Sequence, residues 1–335
     1  MPSQASSSTS KSSPWPMPPK KLKKQVIHAI TEDRVMAHVR ELSINIGARP
    51  TGSEEESQAA DYVATQLQQW GYDIEHQPFK TTLRSGESVL SSNIIATRPG
   101  SEQWLIVGGH LDSVADSSGA VDNASGIAAL LETARLLSEM ETHHTLIFIG
   151  FGAEEEGSPM GSDYYVQSLN HKTEQIVAML NIDAIGAGRY PYVHAGAKIH
   201  LYALDQSKVS FTGGASWVRD LSVQVASVLG HEMRIAPPTY WNGYTGPWSD
   251  HYAFVLEDVP VAYFEAWDWH SSVDSPWWGQ ETSEGDISNT PADTFARVIP
   301  RQVEQITEVV AGTAIAIATH QVSSAPSKDK KDLLP

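Results

Sequence analysis

The sequence predicts an α/β protein built on one doubly wound, mostly parallel mixed sheet flanked by helices. Three observations carry that prediction. Four short, strongly apolar runs, QWLIVGG, TLIFIGF, VAMLNID and VPVAYFEA, suit strands buried on both faces. Between the first two lies SGIAALLETARLLSEM, a helix of the crossover kind. Strands alternating with helices imply parallel neighbours. Finally, chemically capable side chains collect where the runs end. His110 and Asp112 close the first, Glu154 and Glu155 follow the second, and Asp183 ends the third. Sites in doubly wound sheets form beyond the carboxyl ends of their strands.

The elements follow in order. Residues 1–25 are rich in Ser, Pro and Lys and are expected to be a disordered tail. Helical periodicity occupies EDRVMAHVRELSINI and then SEEESQAADYVATQLQQW. The second opens with Ser53 and a run of Glu in its first turn, both helix-start signals, and Gly71 ends it. A strand begins in YDIEHQPF. After the four apolar runs and their crossover, SWVRDLSVQVASVLG and PRQVEQITEVVAGTAIAIATHQ read as helices, the latter with Pro300 near its start. No linker-like stretch and no repeat divides residues 26–320, so they form a single domain. Residues 321–335 read as a second disordered tail.

Composition excludes several functions. With 40 acidic and 23 basic residues, the formal net charge is -17. Such a surface repels nucleic acid and anionic membranes and draws cationic peptides. The absence of cysteine removes disulfides, thiol catalysis and a thiolate zinc site. No stretch approaches the roughly 20 apolar residues of a membrane span. The N-terminal segment has no apolar core of the kind an intact signal peptide carries.

Hard oxygen ligands and one imidazole at successive strand ends are what a two-metal hydrolytic site requires. In H-x-D, a carboxylate such as Asp112 can hold the second ring nitrogen of a metal-bound His110. Asp122, in AVDNASG, taken alone reads as an ordinary carboxylate at a helix start; its alternative is to bridge two metals. Of the adjacent Glu154 and Glu155, one can ligate while the other faces a nucleophilic water as general base. Asp183 ends a buried run, where an ionised carboxylate is costly unless paired or on a metal.

Taken together, GGHLDSV, AVDNASG, AEEEG, NIDAIG, SDHYAF and TPADT resemble the co-catalytic zinc aminopeptidases of peptidase family M28. The upstream GARPTGSEEESQAADYVATQLQQWGYDIEHQPF is similar to that family's first helix and strand, so the likeness spans residues 28–320. It implies a zinc exopeptidase fold, two zinc ions and peptide or protein N-termini as substrate. It assigns His110 and Asp183 to one ion, Asp122 to both, and Glu155 to the second. It makes Glu154 the general base and Asp112 the residue that orients His110. Asp250 and His251 match a family motif near the site without being its usual ligands, and His251 is expected to be a packing residue.

One position departs from the pattern. The family's fifth ligand is a His four residues before the Asp of an H-T-x-x-D-T motif, whereas ISNTPADTF has Asn289 there, preceded by Ser288. An amide oxygen is a weaker zinc ligand. Either Asn289 ligates or yields to water, or a neighbour such as His270 substitutes, or the chain is an inactive binding protein on a peptidase fold. A glutaminyl cyclase, which is similar but uses one zinc, is a third reading. Six of the ten Trp fall between Trp241 and Trp278, and Trp267, Trp269, Trp277 and Trp278 are candidates to line the substrate entrance, with ordinary packing as their other use. Glu265 and Asp268 could favour a basic side chain, as in a family member that acts on N-terminal arginine. The resemblance favours a secreted or periplasmic setting.

Overall fold

The computed structural model describes residues 19–158, 160–201, 210–237, 241–269 and 280–320. Helix α1 (Pro19–Val26) starts within the stretch expected to be a tail and is anchored by Leu22 and Val26, one turn apart and both buried in the main core. Helix α2 (Glu32–Arg40) starts at Thr31, whose side chain accepts from Arg34 N, and runs into a wider π turn at Glu41–Ile46. Helix α3 (Glu54–Gln69) is capped by Ser53, whose Oγ accepts from Glu56 N at 3.1 Å. Gly71, in the left-handed region, turns the chain out of it.

Strands β1 (Asp73–Thr82) and β2 (Ser88–Arg98) form an antiparallel hairpin. Then come β3 (Ser101–His110), helix α4 (Gly126–Ser138), β4 (His144–Phe151), α5 (Gly161–Ser168), β5 (Ile176–Ile182) and the long β6 (Tyr190–Leu201). The rest comprises β7 (Ser210–Gly213), α6 (Trp217–Leu229), β8 (Tyr244–Thr245), α7 (His251–Leu256), β9 (Val261–Trp267) and α8 (Pro300–Ala318). The sheet order is β1-β2-β4-β3-β5-β9-β6-β7, with β8 paired to β6. The four central strands β4, β3, β5 and β9 are mutually parallel, and antiparallel strands extend both sides. This is the doubly wound mixed sheet that the apolar runs predict.

Period-two alternation explains why those runs are apolar throughout. Along β4, Leu146 and Phe148 enter the larger core with α2, α4, α6 and α8, while Ile147, Ile149 and Phe151 enter a second core with Tyr165 of α5 and Phe254 of α7. Strand β3 divides likewise, Leu105 and Val107 against Ile106. A third, aromatic cluster of Tyr192, Trp241 and Trp269 lies beside the sheet. Among the described residues no helix is long and apolar enough to cross a membrane.

Candidate metal centre

Parallel order brings the functional side chains together. His110 is the last residue of β3, Asp183 follows β5 directly, and Glu154 and Glu155 lie just past β4, all at carboxyl ends of neighbouring strands. Asp122 reaches the same place from the turn at Ala120–Ser125 that leads into α4. His110, Asp122 and Asp183 offer ligand atoms within 4.8 Å of one another, and so do His110, Glu154 and Glu155.

The hydrogen bonds of His110 define what the cluster needs. Nδ1 lies 3.2 Å from the Asp112 carbonyl oxygen. Nε2 faces Asp122 Oδ1 at 3.1 Å and Asp183 Oδ1 at 3.2 Å. A neutral ring that donates from Nδ1 turns a lone pair toward two carboxylates. That is stable only with a proton or a cation between them. The spacings approximate the edge of a tetrahedron with zinc–ligand bonds of about 2 Å. Glu155 Oε1 adds a buried acceptor without a hydrogen-bond partner. The donor set of one imidazole and several carboxylates therefore fits divalent metal such as zinc.

The electrostatics agree. Burial, and then Asp183 beside it, raise the Asp122 pKa to about 7. Burial likewise pushes Glu154 and Glu155 well above the usual carboxylate range, with neighbouring carboxylates adding to both. Burial pulls His110 down, but Asp183 and hydrogen bonds to the surrounding Asp side chains outweigh it and lift the ring well above its ordinary value. Burial would raise Asp183, but His110 holds it below its ordinary value.

The supports were only partly legible in the sequence. Asp112 Oδ1 stands 3.6 Å from His110 Nδ1, farther than its own carbonyl. Its carboxylate accepts from Thr51 Oγ1 at 2.7 Å, Glu154 N at 3.0 Å and Glu155 N at 3.1 Å, fixing the backbone of both glutamates. Sequence reading missed Asp293, whose carboxylate accepts from Val121 N at 2.7 Å and Asp122 N at 3.0 Å; its signal was the TPADT motif itself. It missed Glu56, read as a helix-start charge. Glu56 Oε1 accepts from Ser91 Oγ at 2.7 Å and Ala153 N at 3.1 Å. It missed Arg49, buried and donating to the carbonyls of Leu42, Gly47, Leu111, Ser118 and Gly119. Burial lowers the Arg49 pKa to about 10, against the pull of Asp112, Asp293, Asp122 and Glu155. Asn123 ties the Asp122 turn to β5 through Nδ2 to Ile182 O at 2.8 Å.

The remaining candidates are placed as follows. His251 is a packing residue, buried against Tyr263 and donating to Gly246 O, with its pKa lowered to about 3 by burial. Asp250 is buried beside Ser162, and burial lifts it to about 7. A cavity of about 260 Å³ opens on Asp122 and Asp183; Trp248, Tyr263, Glu265, Trp267, Trp269, Ser288 and Asn289 also line it. Asn289 is exposed there, in the left-handed region at φ 61°. Asp268 corrects an expectation. It is fully buried and bound to Arg189 at 3.0 Å, off the cavity, because the alternation of the strand end turns it away from Glu265 and Trp267. His270, Trp277 and Trp278 lie outside the described residues.

Comparison with known proteins agrees with this geometry. The sequence profile of peptidase family M28 matches residues 93–314, and the chain belongs to that family of peptide hydrolases. The leupeptin-inactivating enzyme 1 of Streptomyces exfoliatus is 38% identical over 162 residues, 46% of this chain and 36% of that protein. The alkaline phosphatase isozyme conversion protein of Escherichia coli is 26% identical over 189 residues, 50% of this chain and 55% of the relative. The matches span only 23% to 55% of the length of such curated relatives. Among solved structures, an aminopeptidase from Aneurinibacillus sp. strain AM-1 superposes with TM-score 0.67 at 19% identity, covering 89% of this chain and 96% of that one. At that identity the likeness establishes the shared fold.

Proposed function

We propose that the chain is a co-catalytic zinc aminopeptidase that hydrolyses the N-terminal residue of peptides. The observation that carries this reading is His110 Nε2 facing two carboxylates at 3.1 and 3.2 Å, with Glu154 and Glu155 beside it. Family membership supports it. So do relatives named aminopeptidase YwaD in Bacillus subtilis and probable zinc metalloprotease in Pyrenophora tritici-repentis. His110 and Asp183 would hold one ion, Asp122 would bridge, and Glu155 would hold the second, with Asn289 as its weak further ligand. When bound, the two zinc ions supply the Lewis acidity that acidifies water and polarises the scissile carbonyl. Glu154 takes the proton of the attacking water and delivers it to the leaving amine; a carboxyl pKa held above its ordinary range suits that exchange. Asp112 keeps Glu154 in place through its backbone N–H. Glu154 or Asp183 also offers the substrate's α-ammonium an anionic partner. By the same family likeness we assign a secreted or periplasmic setting.

Metal content per chain, measured alongside hydrolysis of aminoacyl-nitroanilides with and without added zinc, tests the reading. Two ions and chelator-sensitive release of the N-terminal residue are expected. One observation favours a second reading: Asn289 replaces the family's His, as a catalytically impaired binding protein would tolerate. No metal and no turnover in excess zinc would establish it. Ammonia release from N-terminal glutaminyl peptides with one bound zinc would instead indicate a cyclase, as one structural neighbour from Porphyromonas gingivalis is titled.

A further inference from the structure

We propose that the cavity beside the metal-binding cluster selects a cationic N-terminal side chain, and that Glu265 reads its charge. This deepens the aminopeptidase reading and rests on it. Because Asp122 and Asp183 line the cavity, a peptide whose first bond lies at those carboxylates can turn its first side chain inside. The aromatic walls of Trp248, Tyr263, Trp267 and Trp269 receive an apolar chain or a cation alike.

Glu265 distinguishes the two. It is 4% exposed, in the cavity wall, and both of its hydrogen bonds fall on Oε1, from His194 Nε2 at 2.8 Å and Trp269 Nε1 at 2.5 Å. The indole of Trp269 is an uncharged donor. His194 Nδ1 is buried without a partner, so the tautomer that orphans no N–H has its one ring proton on Nε2. Among the described residues no Arg or Lys pairs with Glu265, whereas Arg189 neutralises Asp268 three residues on. A desolvated carboxylate without a cation is costly. A guanidinium or ammonium entering the cavity supplies that cation, and Asp286 on the same lining adds attraction.

The test compares arginyl- with citrullyl-nitroanilide on the zinc-loaded full chain, since citrulline keeps arginine's shape without its charge. Arginine should be favoured about 30-fold in kcat/KM, the size of a charge-assisted hydrogen bond in a desolvated site. Glu265→Gln, which still accepts from His194 and Trp269, should abolish that ratio, and Glu265→Asp should retain part of it. Equal use of arginine and citrulline by the natural chain overturns the inference and leaves the aminopeptidase standing. An unchanged ratio in Glu265→Gln overturns the role of Glu265. Turnover of neither substrate, nor of leucyl-nitroanilide, overturns the aminopeptidase reading and this inference with it. The natural chain's ratio needs no variant and decides the matter even where substitution at Glu265 prevents folding.

Discussion

At the scale of single residues, Glu154 and Asn289 bear most on chemistry. Glu154→Gln should lower kcat by about 10²–10⁴-fold, the usual worth of a general base, with zinc content unchanged. Loss of zinc as well would make Glu154 a ligand instead. Asn289→His should restore the family's ligand. The left-handed backbone at φ 61° is one that His, like Asn, adopts more readily than most residues. Zinc affinity of the weaker site, read by chelator competition, should rise on the order of tenfold or more, since a ligand is worth at least an outer partner. Unchanged affinity would mean that position 289 does not meet the metal. A third prediction lies far from the centre. Burial, with His143 and His320 nearby, lowers the His144 pKa from 6.5 to about 4. The unfolded chain then binds a proton that the folded chain refuses between those values. The stability His144 contributes is therefore present above pH 6.5 and lost as pH falls toward 4. Unfolding free energies measured across that window should slope less in His144→Gln; an identical slope would assign the titration elsewhere.

At the scale of elements, the centre is held by the loops that follow the strands, and three buried charges hold those loops. Arg49 joins the turn after α2 to the segment between His110 and Asp122, Glu56 joins α3 to the backbone before Glu154, and Asp293 joins the last loop to Asp122. Arg49→Met should cost about 3–5 kcal/mol, because it orphans carbonyls that have no water to turn to. Chemical denaturation measures it, and a loss below 1 kcal/mol would show that the loops close without it. Apolar periodicity made β3, β4, β5, β9, α3, α4, α6 and α8 legible in the sequence. Strand β6 was not, since Pro191 and Gly196 interrupt it and His194 and Lys198 break its apolar face. Nor was α7, a helix of six residues, too short to show a period. The site was legible where motif and strand end coincide, at His110, Glu154, Glu155 and Asp183. Glu56 and Arg49 were not legible as supports, because the partners that tie them to the site loops lie 35 to 97 residues away and nothing local marks a charge as buried.

For the whole molecule, a parallel centre with antiparallel flanks was predictable from four apolar runs, whereas the strand order was not, because it depends on which crossover passes which face. The order nevertheless has a measurable consequence for stability. The centre gathers carboxylates that repel one another, and their burial raises Asp122 to about 7 and Glu154 and Glu155 well above their ordinary range. Cation binding should thus stabilise the fold, by about 4 kcal/mol for free metal at a thousandfold excess over its Kd. Chelation should lower Tm, and zinc should restore it; a Tm indifferent to both would argue against a bound metal. The Asp293 carboxylate that grips the backbone of Val121 and Asp122 lies more than 170 residues downstream of them. During synthesis the ribosome makes the Asp122 turn early and its clasp late. Until residue 293 has emerged and docked, the turn lacks both acceptors and the cluster lacks its final shape. The order of synthesis thus leaves the completion of the cluster to a segment made long after Asp122 itself.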